Sequence, residues 1–167
     1  MKLFSRICLL AFSVLFAATL AHAHKFKVGS LHITQPEMTA PLPGAKVTAG
    51  YLVIVNKGQE ADRLVAVKAD FAGKSEIHTM EMNDGVMKMR PVDGGLEIPA
   101  GASVVLEKGG LHLMFMKLQN DIDAGQLKPV TLVFEKAGEI SIEMNVTKPG
   151  KKDHGDHGSS DHSNHTH

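Results

Sequence analysis

The sequence predicts an all-β domain between two segments that do not belong to the fold. Short runs of alternating or β-branched apolar residues recur along residues 24–147, and no part of this region shows a long helical period. Many short strands at this spacing are typical of an antiparallel sandwich or barrel. Residues 119–126 are expected to form a loop or one helical turn. The expected strands are 29–34, 49–56, 63–69, 76–82, 86–90, 103–106, 111–117, 130–135 and 140–146.

The breaks between the expected strands carry residues that favour turns. Glycine adopts positive φ without a steric penalty, proline sets φ in advance, and Asn and Asp side chains bond to their own backbone. In chain order the breaks lie at 41–44, 56–58, 83–85, 93–95, 99–101, 109–110 and 137–138. The region between the flanking segments is the size of one domain.

The N-terminal segment, residues 1–23, is predicted to be a cleaved secretory signal peptide. It has a positively charged start, an apolar run at 7–20 and a small-x-small cleavage signal at 21–23. The apolar run is too short for a membrane anchor. The mature chain is therefore expected to begin at His24.

Charge and cysteine content exclude several classes of function. The chain has 18 Lys and Arg and 18 Asp and Glu, and no basic patch appears, so nucleic acid is not an expected partner. The one cysteine, Cys8, lies inside the signal's apolar run. The mature chain thus has no disulfide, thiolate ligand or expected lipid anchor. No serine, cysteine or paired-carboxylate arrangement has hydrolase spacing.

The C-terminal segment, residues 148–167, is expected to be a disordered tail because it contains almost no apolar residues. Imidazole and carboxylate groups together suit Cu(II), and also Zn(II) or Ni(II). We interpret the tail either as a segment that captures Cu(II) or as a solvated extension without a specific role. Its histidines are His154, His157, His162, His165 and His167.

A predicted hairpin carries four methionines and a histidine. Asp84 and Gly85 indicate a two-residue type I′ turn, in which both central residues need positive φ. Alternation along the strands then places His78 on the same face of the hairpin as the methionines, and the charged pair Glu81 and Lys88 on the opposite face. The expected cross-strand pairs are Asn83–Val86, Met82–Met87, Glu81–Lys88 and Met80–Met89.

A second strand repeats this combination, because His112, Met114 and Met116 alternate with apolar and basic neighbours. Packing in a core is the simplest interpretation of any one of these residues, since methionine fills gaps in apolar interiors. The joint pattern favours a metal site. Thioether sulfur and imidazole suit Cu(I), whereas Zn(II), Mg(II) and Ca(II) are poor partners for thioethers. Unlike thiols, these ligands survive in an oxidising compartment.

The chain resembles the periplasmic copper chaperone family called PCu(A)C. That family has the pattern His, ten residues, Met, twenty-one residues, His-x-Met. The first spacing fits from His78 to Met89, whereas twenty-two residues separate Met89 from His112. We expect the extra residue to be Gly94 or Gly95 in a turn. Further similarity lies in the stretches at 43–65, 87–92, 96–101 and 109–114, and the stretch at 33–41 departs from the pattern.

The resemblance implies a cupredoxin-like Greek-key β-sandwich or barrel that carries Cu(I) in the periplasm. It implies delivery to the CuA centre of cytochrome c oxidase, alongside a Sco-type thiol protein, without catalytic turnover. The implied ligands are His78, Met89, His112 and Met114, with Met80 as an auxiliary ligand. We expect Met82, Met87 and Met116 to pack in the core or around the site.

Three alternatives remain open at this point. His24, as the N-terminal residue, offers an amine and an imidazole that resemble half of a histidine brace, which predicts a copper-dependent oxidoreductase with His32 as a third nitrogen. Copper sequestration or tolerance would use the same ligands as a carrier. A purely structural β-sandwich would use the methionines only for packing.

Overall fold

The protein is described by a computed structural model that covers residues 25–150, and within that range every regular element is a β-strand. Residues 25–150 contain no helix of the length and apolarity that crossing a membrane requires. The strands are β1 (Phe26–Val28), β2 (Leu31–Thr39), β3 (Val47–Asn56), β4 (Asp62–Lys68), β5 (Ala72–Asn83), β6 (Val86–Pro91), β7 (Leu96–Ile98), β8 (Ser103–Leu106), β9 (His112–Leu118), β10 (Leu127–Phe134) and β11 (Gly138–Thr147).

All eleven strands belong to one mixed sheet. Its main order is β6-β5-β9-β3-β2-β11-β10-β4-β7, with β1 paired to β2 and β8 paired to β3. Every pairing is antiparallel except that of β11 with β2, which is parallel. The sheet curls so that β4 also approaches β5. The strand β6 forms one end of the main order and is exposed along its whole length.

The all-β prediction is confirmed, and each of the nine expected strands is present, most of them with ends shifted by about one to three residues. The strand expected at 29–34 extends further, to Thr39. The short strands β1 and β7 were missed because three residues are too few to show alternation. The strand β5 begins earlier than expected, at Ala72. Residues 119–126 form a loop without a helical turn. The sequence indicates antiparallel strands, and the parallel pairing of β2 with β11 is the exception.

Alternation along β9 separates the core from the opposite face of the sheet. Leu113 and Phe115 are fully buried in the hydrophobic core. Their neighbours His112, Met114 and Met116 therefore point to the other face, because successive side chains of a strand alternate. Burial of the two apolar side chains fixes the register of β9, since a shift of one residue would exchange the two faces.

The β5–β6 hairpin has the predicted turn and register. Asp84 has φ 52° and Gly85 has φ 77°, as a type I′ turn requires. The ladder pairs Met80 with Met89 and Met82 with Met87, which confirms the four pairs expected from the sequence.

Replacing Gly85 by alanine should weaken the hairpin through the backbone alone. An added Cβ would meet nothing within 4 Å, so the cost is that of holding an L-residue at positive φ, about 1–2 kcal/mol. Amide hydrogen exchange across the β5–β6 ladder should accelerate accordingly. Gly85→Asn is the control and should destabilise the hairpin less than alanine does, because asparagine tolerates positive φ. Unchanged exchange in the alanine variant would contradict this role of the turn.

Candidate metal centre

Two imidazoles face each other across the β5–β9 ladder. His78 is the direct partner of His112, and their ring centroids lie 5.9 Å apart with planes inclined at 66°. Both residues are buried, with exposed fractions of 9% and 3%. The strands thus bring together two residues that are 34 positions apart in the sequence.

The thioethers implied as ligands lie on the same face as the imidazoles. Met114 follows His112 by two residues on β9, and Met80 follows His78 by two residues on β5. Met89 lies on β6 directly opposite Met80. Directly opposed side chains share a face and have Cβ atoms about 4.5–5.5 Å apart. Met80 and Met89 therefore flank the histidine pair on the side of the hairpin turn, whereas Met114, which is opposite Glu76, flanks it on the other side.

Each imidazole is anchored through one nitrogen and has no partner at the other. His112 Nδ1 donates to the Gly110 carbonyl at 3.0 Å, and His78 Nε2 lies 3.0 Å from Glu76 Oε2. His78 Nδ1 and His112 Nε2 are buried without a hydrogen-bond partner. A buried polar atom without a partner is costly. A bound metal ion would satisfy both nitrogens, so the residues fit the group that the sequence pattern implies.

Glu76 supports the site and was missed in the sequence. The Lys74 ammonium, 2.7 Å from its carboxylate, and the hydrogen bond to His78 both lower the pKa of Glu76. The carboxylate is therefore ionised at neutral pH and accepts the His78 Nε2 proton, which leaves Nδ1 free for a metal. Carboxylate–histidine–metal arrangements of this kind orient the ring and raise its basicity. The Glu-x-His spacing on one strand was the signal that could have revealed it.

Exposure differs along the methionine group. Met80, Met114 and Met116 are half-buried, whereas Met89 is 45% exposed. The metal centre is therefore closed on the imidazole side and open towards solvent at β6. Met82 is 65% exposed and Met87 is 45% exposed. Of the two places expected for them, the core is therefore wrong, and a place around the site stays a prediction.

The donor set favours a soft ion. Between residues 25 and 150, no group of three or more His, Cys, Asp and Glu side chains is placed to hold a metal. A metal site built on His78 and His112 would take its further ligands from the neighbouring thioethers, which bind Cu(I) well and harder divalent ions poorly.

The segment in which we expect the extra residue between Met89 and His112 is a turn, and the position of that residue stays a prediction. Gly94 and Gly95 follow β6 in a turn and have φ 73° and 87°. A lengthened turn here leaves the paired strands in register, because the two ligand-bearing strands are joined to β5 independently of this loop.

Several predictions fall on residues outside the described range. The signal peptide (1–23), His24 as the start of a histidine brace and the tail from residue 151 cannot be compared with the structure. The tail histidines in this group are His154, His157, His162, His165 and His167. His32 is half-buried on β2 opposite Lys27.

Removal of the Glu76 carboxylate should weaken Cu(I) binding. Glu76→Ala leaves the His78 ring without its acceptor, and losses of this kind typically cost about 10–100-fold in metal affinity. Glu76→Gln keeps an oxygen acceptor and should lose less Cu(I) affinity than Glu76→Ala. Competition with a Cu(I) chelator measures the affinity, and the ¹⁵N shifts of His78 report the tautomer.

Glu81→Ala is the matched control, because Glu81 is exposed on the opposite face of the same strand. An alanine variant at position 76 with the affinity and His78 tautomer of the wild type would contradict the positioning role.

Comparisons with known sequences identify the family. Residues 31–146 match the family model described as "Putative lipoprotein LpqE-like". A protein of Leifsonia xyli, "Putative lipoprotein Lxx21020", is 32% identical over 103 residues, which are 62% of this chain and 62% of that protein. The "Uncharacterized protein RP573" of Rickettsia prowazekii is 30% identical over 99 residues, or 59% of this chain and 55% of that protein. The chain thus spans about three fifths of the length of these relatives.

Solved structures give the same assignment. A copper-bound PCuAC domain from PmoF2 is 28% identical with a TM-score of 0.65, covering 75% of this chain and 99% of that one. An apo PCuAC domain from PmoF1 is 31% identical with the same TM-score, covering 75% and 100%. The Cu(I) form of DR1885 from Deinococcus radiodurans is 26% identical with a TM-score of 0.56, covering 78% and 85%. The cupredoxin-like β fold is therefore confirmed, and the chain belongs to the LpqE-like family of PCu(A)C domains.

Proposed function

We propose that the protein is a periplasmic Cu(I) carrier without catalytic turnover. Its ligands are His78, Met89, His112 and Met114, and Met80 assists them. The single observation that supports this proposal best is the pair of buried imidazole nitrogens without partners. The two rings are direct cross-strand partners, and Met80, Met89 and Met114 flank them on the same face of the sheet.

The arrangement suits an ion that must be held and then released. Imidazole and thioether ligands are neutral, so the ion keeps its single positive charge and is bound less tightly than by thiolates. The Glu76 carboxylate offsets part of this charge from behind the His78 ring. Met89 is the most exposed of the four ligands, and a partner's ligand can replace it first. Transfer by ligand exchange needs no change in oxidation state.

The family resemblance supports a specific recipient for the copper. We propose delivery to the CuA centre of cytochrome c oxidase, in cooperation with a Sco-type thiol protein. A thiol-bearing partner is chemically suitable because thiolates bind Cu(I) more strongly than thioethers do. Copper would then move from the weaker ligands of this protein to the stronger ligands of its partner.

The tail is proposed to capture Cu(II) close to the Cu(I) site. The described chain ends at Gly150, where a Cβ atom would lie 3.5 Å from Lys108 Nζ. Lys108 belongs to the β8–β9 turn, which also supplies the Gly110 carbonyl that anchors His112. His154 follows Gly150 by four residues, a span of at most about 14 Å. Such a tether raises the local concentration of copper at the site.

A ligand role for Met114 can be separated from a packing role. Met114→Leu removes the sulfur while nearly conserving volume, so Cu(I) affinity should fall about tenfold or more, equivalent to about 1.4 kcal/mol. Met116→Leu is the matched control on the same face of the same strand and should retain the wild-type affinity. Anaerobic competition titration measures both variants. Equal affinities in the two variants would contradict the assignment.

The contribution of the tail can be tested by ending the chain after Gly150. The shortened protein lacks the five tail histidines, so it should bind fewer Cu(II) ions than the mature protein does. The number of Cu(I) ions that it binds should stay the same. Isothermal titration with each ion measures both values. Unchanged Cu(II) stoichiometry would end the proposal for the tail and leave the Cu(I) site unaffected.

A further inference from the structure

A second pair of thioethers lies next to the metal centre, further out along the hairpin. Met82 and Met87 are directly opposed across the β5–β6 ladder, and the next pair inward on the same face is Met80 with Met89. Consecutive pairs on one face are two residues apart, or about 7 Å along the strands. The methionines therefore form a block of four that extends the metal centre towards the tip of the hairpin.

Packing does not account for the outer pair. Met82 and Met87 are 65% and 45% exposed, so neither contributes a buried side chain to the core. The opposite face of the same strands carries Glu81, opposed by Lys88, and Thr79, opposed by Arg90. Methionine is thus confined to the face that leads to the imidazoles.

We propose that Met82 and Met87 form an exposed loading site for Cu(I), from which the ion moves to Met80 and Met89 and then to the imidazoles. This inference rests on the proposed carrier function. Flexible methionine side chains can pass the ion by ligand exchange, in which one Cu–S bond forms as another breaks. The ion remains Cu(I) throughout, so no oxidant or reductant takes part.

The order of ligands gives the movement a direction. The outer pair offers only two thioethers, whereas the inner centre adds His78 and His112, whose free nitrogens are buried and lack partners. The inner centre therefore binds the ion more strongly. The ammonium of Lys88 and the guanidinium of Arg90 belong to residues that alternate with the methionines. The side chains of Lys88 and Arg90 therefore point to the opposite face of the hairpin. Their positive charges do not lie on the path that the copper ion follows along the methionines.

Titration of the mature protein with Cu(I) under anaerobic conditions tests the loading site. With ¹³C-labelled methionine methyl groups, the first equivalent should shift the signals of Met89 and Met114. Further Cu(I) should shift those of Met82 and Met87. Transfer from a coloured Cu(I)–bicinchoninate complex measures the loading rate. The double variant Met82→Leu, Met87→Leu should load severalfold more slowly and keep its affinity for the first equivalent.

A matched control adds Val86→Met to the double variant. Val86 is exposed on the same hairpin but alternates with Met87, so the new thioether lies on the wrong face and should not restore the rate. The loading site would be overturned if the double variant loads Cu(I) at the wild-type rate, or if the Met82 and Met87 signals do not shift. The carrier function would still hold in that case, provided that the protein binds one Cu(I) tightly. Failure to bind the first equivalent would overturn both.

Discussion

Two histidine rings, each bonded to the protein through one nitrogen, determine what this surface can do. The Gly110 carbonyl and the Glu76 carboxylate take the two N–H groups, and the other two nitrogens are left buried without partners. A buried nitrogen without a hydrogen-bond partner is unfavourable unless a ligand or ion binds to it. The cost is tolerated because the rings are directly opposed on strands that the core holds in register. The partner that we propose is a Cu(I) ion, because it also suits the neighbouring thioethers.

The core and the metal centre depend on the same strands. In β9, Leu113 and Phe115 are fully buried, and the proposed ligands His112 and Met114 alternate with them. A shift in the register of β9 would therefore expose these apolar side chains. Packing of the core thus fixes the distance between the two imidazoles. The hairpin end of the site is different, because β6 is an exposed edge strand. A rigid imidazole end and an accessible thioether end suit a protein that retains copper and also releases it.

Much of the site could be predicted because its geometry is local. The turn at Asp84 and Gly85 fixes the register of the hairpin, and alternation then assigns every methionine on it to a face. The family pattern connected this hairpin to His112. The exposure of Met82 and Met87 could not be predicted, since it depends on β6 having no neighbour beyond it. The parallel pairing of β2 with β11 also escaped prediction, because it joins residues more than a hundred positions apart. Glu76 was overlooked because a carboxylate next to a lysine has the pattern of a solvated surface.

X-ray absorption spectroscopy of the protein loaded with one Cu(I) tests the central claim most directly, because it counts the atoms bound to the ion. The account predicts a mixed set of neighbours made of two imidazole nitrogens, from His78 and His112, with thioether sulfur from Met89 and Met114. The nitrogen contribution should fall by half when His112 is replaced. A set of neighbours without sulfur, or one that keeps both nitrogens after that replacement, would contradict it.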